Sequence, residues 1–106
     1  SEINLREAFM STYVLFADYT EKGIANIKGS PDRLDAFRKL AADHGCEVKA
    51  FYLMLGDHDI LSIFDAPNDD TAAKLLLTLA SSGNVRTKSY KLFEEDEFRS
   101  IVGSLP

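Results

Sequence analysis

The sequence predicts one α+β domain in which four strands and two main helices alternate as βαββαβ and form a four-stranded antiparallel sheet. Three observations carry that prediction. A chain of 106 residues is the size of a single domain and can bury one modest core. Short β-branched and aromatic runs alternate with two segments of helical periodicity. Gly45, Gly56 and Gly83 stand at joints between these segments, where the chain must reverse.

Each element has its own local signal. Residues Ser1 to Phe9 carry no secretory apolar region, and Met10, Ser11 and Thr12 read as a natural start. We therefore expect residues 1–9 to be an expression leader or upstream extension and the domain to cover 10–106. Thr12 to Tyr19 is the first strand, since Tyr13, Val14, Leu15, Phe16 and Ala17 form a run too brief for a helix. Thr20 caps a short helical turn over Glu21 to Ile27, which Gly23 weakens and Lys28 and Gly29 interrupt.

Ser30, Pro31 and Asp32 form a helix start, with Ser30 as cap, proline where an N–H is dispensable and aspartate against the positive end of the dipole. Leu34, Phe37, Leu40 and Ala41 then share one face until Gly45 ends the helix. Cys46 to Leu55 and His58 to Ala66 pair as a hairpin around Gly56 and Asp57. Pro67 and the cap Asn68 open a second helix, whose stripe is Ala72, Leu75, Leu76, Leu79 and Ala80, and Gly83 closes it. Asn84 to Phe93 reads as an edge strand, and Glu94 to Val102 as a short helix packing Phe98, Ile101 and Val102.

Composition narrows the function. Seventeen acidic against twelve basic residues give a formal charge of −5, and no Lys/Arg stripe exists to neutralise phosphates, so nucleic acid is not an expected partner. No apolar run approaches the roughly 20 residues that span a bilayer, so no membrane is expected either. Cys46 is the one cysteine; it makes no internal disulfide and points to a reducing, cytoplasmic setting.

The topology also implies an assembly. Right-handed crossovers place both helices on one sheet face and leave the other bare. A wet face should alternate apolar with polar residues, yet the first strand is apolar from Tyr13 to Ala17 and the third at Ile60, Leu61, Ile63 and Phe64. Val48, Ala50 and Tyr52 on one parity oppose Phe51 and Leu53 on the other, so the second strand lacks a wet side too. The expected cover is a second copy: a homodimer through sheet faces, with higher oligomers open.

From Met10 to Phe98 the chain resembles the GYD domain family of small bacterial proteins. The resemblance is carried by Thr20, Gly23, Ile27, Lys28, Pro31 and Arg33, by the run from Tyr52 through Leu55 with Gly56 and Asp59, by Ala66 and Pro67, and by Gly83 through Thr87. It implies the ferredoxin-like fold in its dimeric α/β-barrel form and supplies no agreed reaction or catalytic residue. The family's Gly, Tyr, Asp signature at the second hairpin is altered here, because His58 stands where Tyr is expected.

The candidate ligand-binding residues are Tyr52, His58 and Asp59. A histidine between carboxylates can bind a metal or act as an acid/base pair; on a strand, however, His58 and Asp59 would point to opposite faces, leaving Asp57 to the turn and Asp59 to nearby backbone. Tyr52 and Tyr90 could place hydroxyls in a lumen between sheet and helices, or simply pack. His44 suits a helix C-terminus, and Cys46 reads as buried and inert. Arg33 is expected to pair with Asp32 or Asp59, or to face an anion. Glu94 to Glu97 read as a solvated helix start rather than a metal site. With no GxGxxG, phosphate loop, HExxH or GxSxG pattern, no cofactor or metal is expected and the catalytic residues stay unassigned.

Two functions fit these readings. One is a small homo-oligomeric α/β-barrel protein that binds small molecules, serves a stress response or docks onto other proteins. The alternative is a cofactor-independent monooxygenase- or isomerase-like enzyme that uses Tyr52 or His58 on a small organic substrate, an analogy at the level of fold. An RNA-binding sheet would need basic side chains that this acidic chain lacks.

Overall fold

In the computed structural model, which describes residues 9–106, the elements follow one another as β1 Ser11–Tyr19, α1 Glu21–Ala25, a 3₁₀ turn Ile27–Gly29, α2 Ser30–Asp43, β2 Glu47–Leu53, β3 Ile60–Ala66, α3 Asp69–Ser81, β4 Val85–Leu92 and α4 Glu95–Gly103. The expectation of a leader over 1–9 falls, apart from Phe9, outside the described residues. The four strands form one sheet in the order β2-β3-β1-β4, every neighbouring pair antiparallel. This is the ferredoxin-like fold that the βαββαβ order predicts.

The core lies between one sheet face and two helices. Tyr13 and Leu15 of β1, Phe64 and Ala66 of β3 and Val48 of β2 meet Phe37 and Ala41 of α2 and Ala72 and Leu75 of α3. The rings of Tyr13 and Phe64 stack at 5.2 Å, and a fully buried Phe64 anchors the layer at about 1.5–3 kcal/mol of transfer free energy. β3 is buried at every second residue, the signature of a sheet covered by helices on one side.

The helix ends show how local chemistry sets the boundaries. Thr20 accepts from Gly23 N at 3.1 Å, and Asn68 accepts from Thr71 N at 2.8 Å, as cap chemistry predicts. Gly45 and Gly83 follow α2 and α3 with φ of 72° and 79°, a region that glycine enters without a Cβ penalty. Ser30 is not the cap of α2. The 3₁₀ turn runs directly into the helix, Gly29 takes the cap position, and Ser30 Oγ shares a 2.7 Å hydrogen bond with the Tyr19 hydroxyl.

Three further expectations are corrected. Gly23, read as a weak point of α1, is required there: a Cβ would collide with the Asn84 carbonyl oxygen, which itself accepts from Thr20 N at 3.1 Å. Among the described residues Arg33 meets no carboxylate; its guanidinium donates to the carbonyls of Asn26 at 2.9 Å and Gly23 at 3.3 Å, closing the end of α1. Phe98, Ile101 and Val102 do not pack on the domain, and no residue of α4 is buried. The helix-covered face is already filled by α2 and α3, so a third apolar stripe has no place on it.

Candidate functional site

The sheet face turned away from the helices is built by strand alternation. Because Tyr13, Leu15 and Ala17 point into the core, Thr12, Val14, Phe16 and Asp18 point the other way. Register then brings Ile63 and Tyr90 beside Val14, and Leu61 and Lys88 beside Phe16. β2 contributes through an irregularity. Its pairing shifts register between Val48 and Ala50, so Val48 joins the core while Ala50 and Tyr52 join the helix-free face. The single parity read for Val48, Ala50 and Tyr52 is split at that point.

Phe16 is the centre of an aromatic group on this face. Its ring lies 6.2 Å from Tyr90, edge to face, and 5.0 Å from the His58 ring, both within the range of favourable aromatic contact. The Tyr90 and Tyr52 side chains are largely exposed. They stand on the helix-free face and not in a lumen between sheet and helices, since Tyr90 pairs with Val14 and Tyr52 with Leu61.

His58 and Asp59 lie in the loop between β2 and β3, not on a strand, and both turn to the end of β1. His58 Nδ1 donates to Asp18 at 3.1 Å (Oδ2) and 3.3 Å (Oδ1). The Asp59 amide donates to the same carboxylate at 3.2 Å, and the Asp59 carboxylate accepts from Tyr19 N at 2.9 Å. Asp59 is thereby committed to backbone, as a turn aspartate often is. His58 is held at one ring nitrogen by a carboxylate, an arrangement that fixes the tautomer and leaves Nε2 for an outside group. Asp18 is the residue that the sequence reading missed. Its partner lies 40 positions away, beyond any local spacing.

Two other places bring candidate groups together. A cleft of about 70 Å³ opens between sheet and α2, lined by Leu15, Phe37, Phe51, Ile60 and Arg33 among others; Tyr52, His58 and Asp59 are not among its walls. Carboxylate oxygens of Glu94, Asp96 and Glu97 come within 4.8 Å of one another, all exposed. Helix chemistry accounts for them: Glu94 and Glu97 form a reciprocal capping box, and Asp96 accepts from Glu97 N at 2.9 Å. His44 Nδ1 lies 2.9 Å from the Leu40 carbonyl at the end of α2, the capping place foreseen for it. Cys46 is buried. Among the described residues no helix is long and apolar enough to cross a membrane.

Electrostatics concentrate where α3 meets the sheet. The Tyr13 hydroxyl donates to Asp69 at 2.5 Å, and Lys91 stands 3.2 Å from the same carboxylate. Burial, then the bond to Asp69, pushes the Tyr13 phenol up to about 12. The Tyr13 bond, then Lys91, lowers the Asp69 carboxyl.

The model of the GYD domain matches residues 13–102. The chain belongs to the GYD domain family. This GYD protein is 32% identical over 79 residues to the glutamine synthetase and cystathionine beta-lyase binding protein of Thermus thermophilus, a match covering 74% of the chain and 83% of that protein. Among solved structures, it superposes on the feast or famine regulatory protein of M. tuberculosis complexed with L-methionine, with a TM-score of 0.66 at 17% identity over 89% of the chain. LrpC of B. subtilis gives 0.64 at 10% identity over 90% of the chain. The GYD chain spans 58% and 59% of the length of these two proteins. At such identities the likeness is one of fold.

Proposed function

We propose that this GYD protein is a cytoplasmic binding module, with residues 10–106 acting as one unit, that pairs through its helix-free sheet face and docks as a homodimer onto larger metabolic enzymes. The observation that carries the reading is the 32% identity over 79 residues to a protein named for binding two enzymes. The sheet supports the pairing. Phe16, Leu61 and Ile63 face away from the helices half-buried, beside the largely exposed Tyr52 and Tyr90, and each Å² of apolar surface that a second copy covers is worth about 25 cal/mol before association costs.

Sedimentation and surface capture test this together. The purified protein sediments as a dimer at low micromolar concentration and binds immobilised glutamine synthetase or cystathionine beta-lyase from its own source. Phe16→Glu places a charge in the shared apolar layer and raises the dimer dissociation constant by about 100-fold or more. A wild-type monomer that binds neither enzyme sinks the reading.

The His58–Asp18 pair beside Phe16 and Tyr90 favours a second reading, in which the same face takes a small organic ligand or substrate and His58 moves a proton. A thermal-shift panel that includes amino acids distinguishes the two readings. A ligand whose stabilisation disappears in His58→Ala and Tyr52→Phe supports the second; no shift across the panel leaves the docking role.

A further inference from the structure

Among the described residues, two exposed apolar groups sit at diagonally opposite corners of the sheet. Phe98, Ile101 and Val102 of α4, with Leu105 beyond it, are 58%, 46%, 48% and 64% exposed, and the i, i+3, i+4 spacing of the first three places them on one helix face. This arm leaves the sheet from β4, an edge strand, at the end where Leu92 pairs with Thr12. On the other edge, β2 ends in Tyr52 and Leu53 and runs into Leu55, which are 60%, 71% and 101% exposed. Leu53 pairs with Ile60, Ile60 with Ala17 and Ala17 with Thr87, so this corner lies at the far end of the strands.

One copy cannot join the two surfaces. The sheet diagonal is roughly 25 Å, whereas the nine residues of α4 extend about 14 Å. A second copy can. A two-fold axis lying between facing sheets and perpendicular to that diagonal exchanges the arm corner with the Tyr52–Leu55 corner, with the strands of the two sheets crossing steeply. We infer that the α4 arm of each copy packs on the Tyr52–Leu55 corner of the other, reciprocally, in the sheet-face dimer proposed above, on which this inference rests.

Area and charge argue for that occupant. Four strands of about seven residues give a flat face of roughly 450 Å² per copy, about 900 Å² for a pair, which falls short of the roughly 1,200 Å² where stable interfaces begin. Two reciprocal arm contacts, each setting Phe98, Ile101 and Val102, with Leu105, against Tyr52 and Leu55, carry the total past that threshold. The acidic start of the arm, Glu94 to Glu97, leads onto a sheet face to which β4 brings Arg86 and Lys88 beside Asp18 and Phe16.

The test combines affinity with a contact map. Sedimentation equilibrium is run on wild type and on Phe98→Ser/Ile101→Ser, with circular dichroism confirming that the exposed substitutions leave the fold intact. The double variant raises the dimer dissociation constant about tenfold or more. In parallel, a photo-reactive phenylalanine analogue at Phe98, in mixed isotope-labelled and unlabelled chains, is expected to cross-link to the Tyr52–Leu55 segment of the differently labelled copy. A wild-type monomer overturns the dimer and the arm together. A wild-type dimer whose affinity the double variant leaves unchanged, with cross-links confined to one chain, overturns the arm alone.

Discussion

At the scale of single residues, stability depends on contacts that no residue announces by its type. Gly23 looks like a helix breaker, yet its lack of a side chain lets the Asn84 carbonyl approach α1. Gly23→Ala forces that approach apart and costs about 1–3 kcal/mol, read by urea unfolding. Tyr13 gives a pH dependence. Its phenol is held at about 12 in the fold against an ordinary 10.0, so the stability it supplies is complete below pH 10 and is lost as pH rises from about 10 to about 12. Tyr13→Phe flattens that alkaline decline relative to wild type. Because the same bond leads the causes that lower the Asp69 carboxyl, the substitution also raises the Asp69 pKa, measurable by NMR titration. His58 shows the limit of residue-level reading: its chemistry depends on Asp18, 40 positions away.

At the scale of elements, cap chemistry was legible and the use of each face was not. The caps Thr20 and Asn68 and the stripes of α2 and α3 followed from spacings of three and four residues. Asn68→Ala removes the acceptor for Thr71 N and costs about 1 kcal/mol in denaturant unfolding, with little change in the m-value. The register shift at Lys49 was invisible, because a bulge is set by pairing with β3 and not by β2 alone. It moves Tyr52 to the helix-free face, and with it the place of any ligand. The amphipathic stripe of α4 was legible as a stripe; what it meets was not, since a helix face records that burial is wanted and not by which surface.

At the scale of the whole molecule, folding and association are coupled if the helix-free face and the α4 arm are covered by a second copy. The melting temperature then rises with protein concentration, by several degrees over a roughly hundredfold range in scanning calorimetry, and Phe16→Glu abolishes the rise. A melting temperature independent of concentration in wild type counts against the dimer. The elongated outline, 51 × 29 × 26 Å with a radius of gyration of 15.4 Å against about 13 Å for a compact chain of this length, agrees with an arm that extends beyond the body.

The order of strands and helices, the helix boundaries at Asn68, Gly45 and Gly83 and the excess of apolar sheet residues were all determined by the amino-acid sequence. Each rests on hydrophobic periodicity or backbone preference acting over a few neighbouring residues. Only the tertiary structure decided that His58 meets Asp18, that Asp59 is committed to Tyr19 N, that Arg33 closes α1 and that Tyr52 and Tyr90 share the helix-free face. Those outcomes follow from strand order and register, which join distant segments of the chain, and a one-residue change of register would send the same side chains to the opposite face.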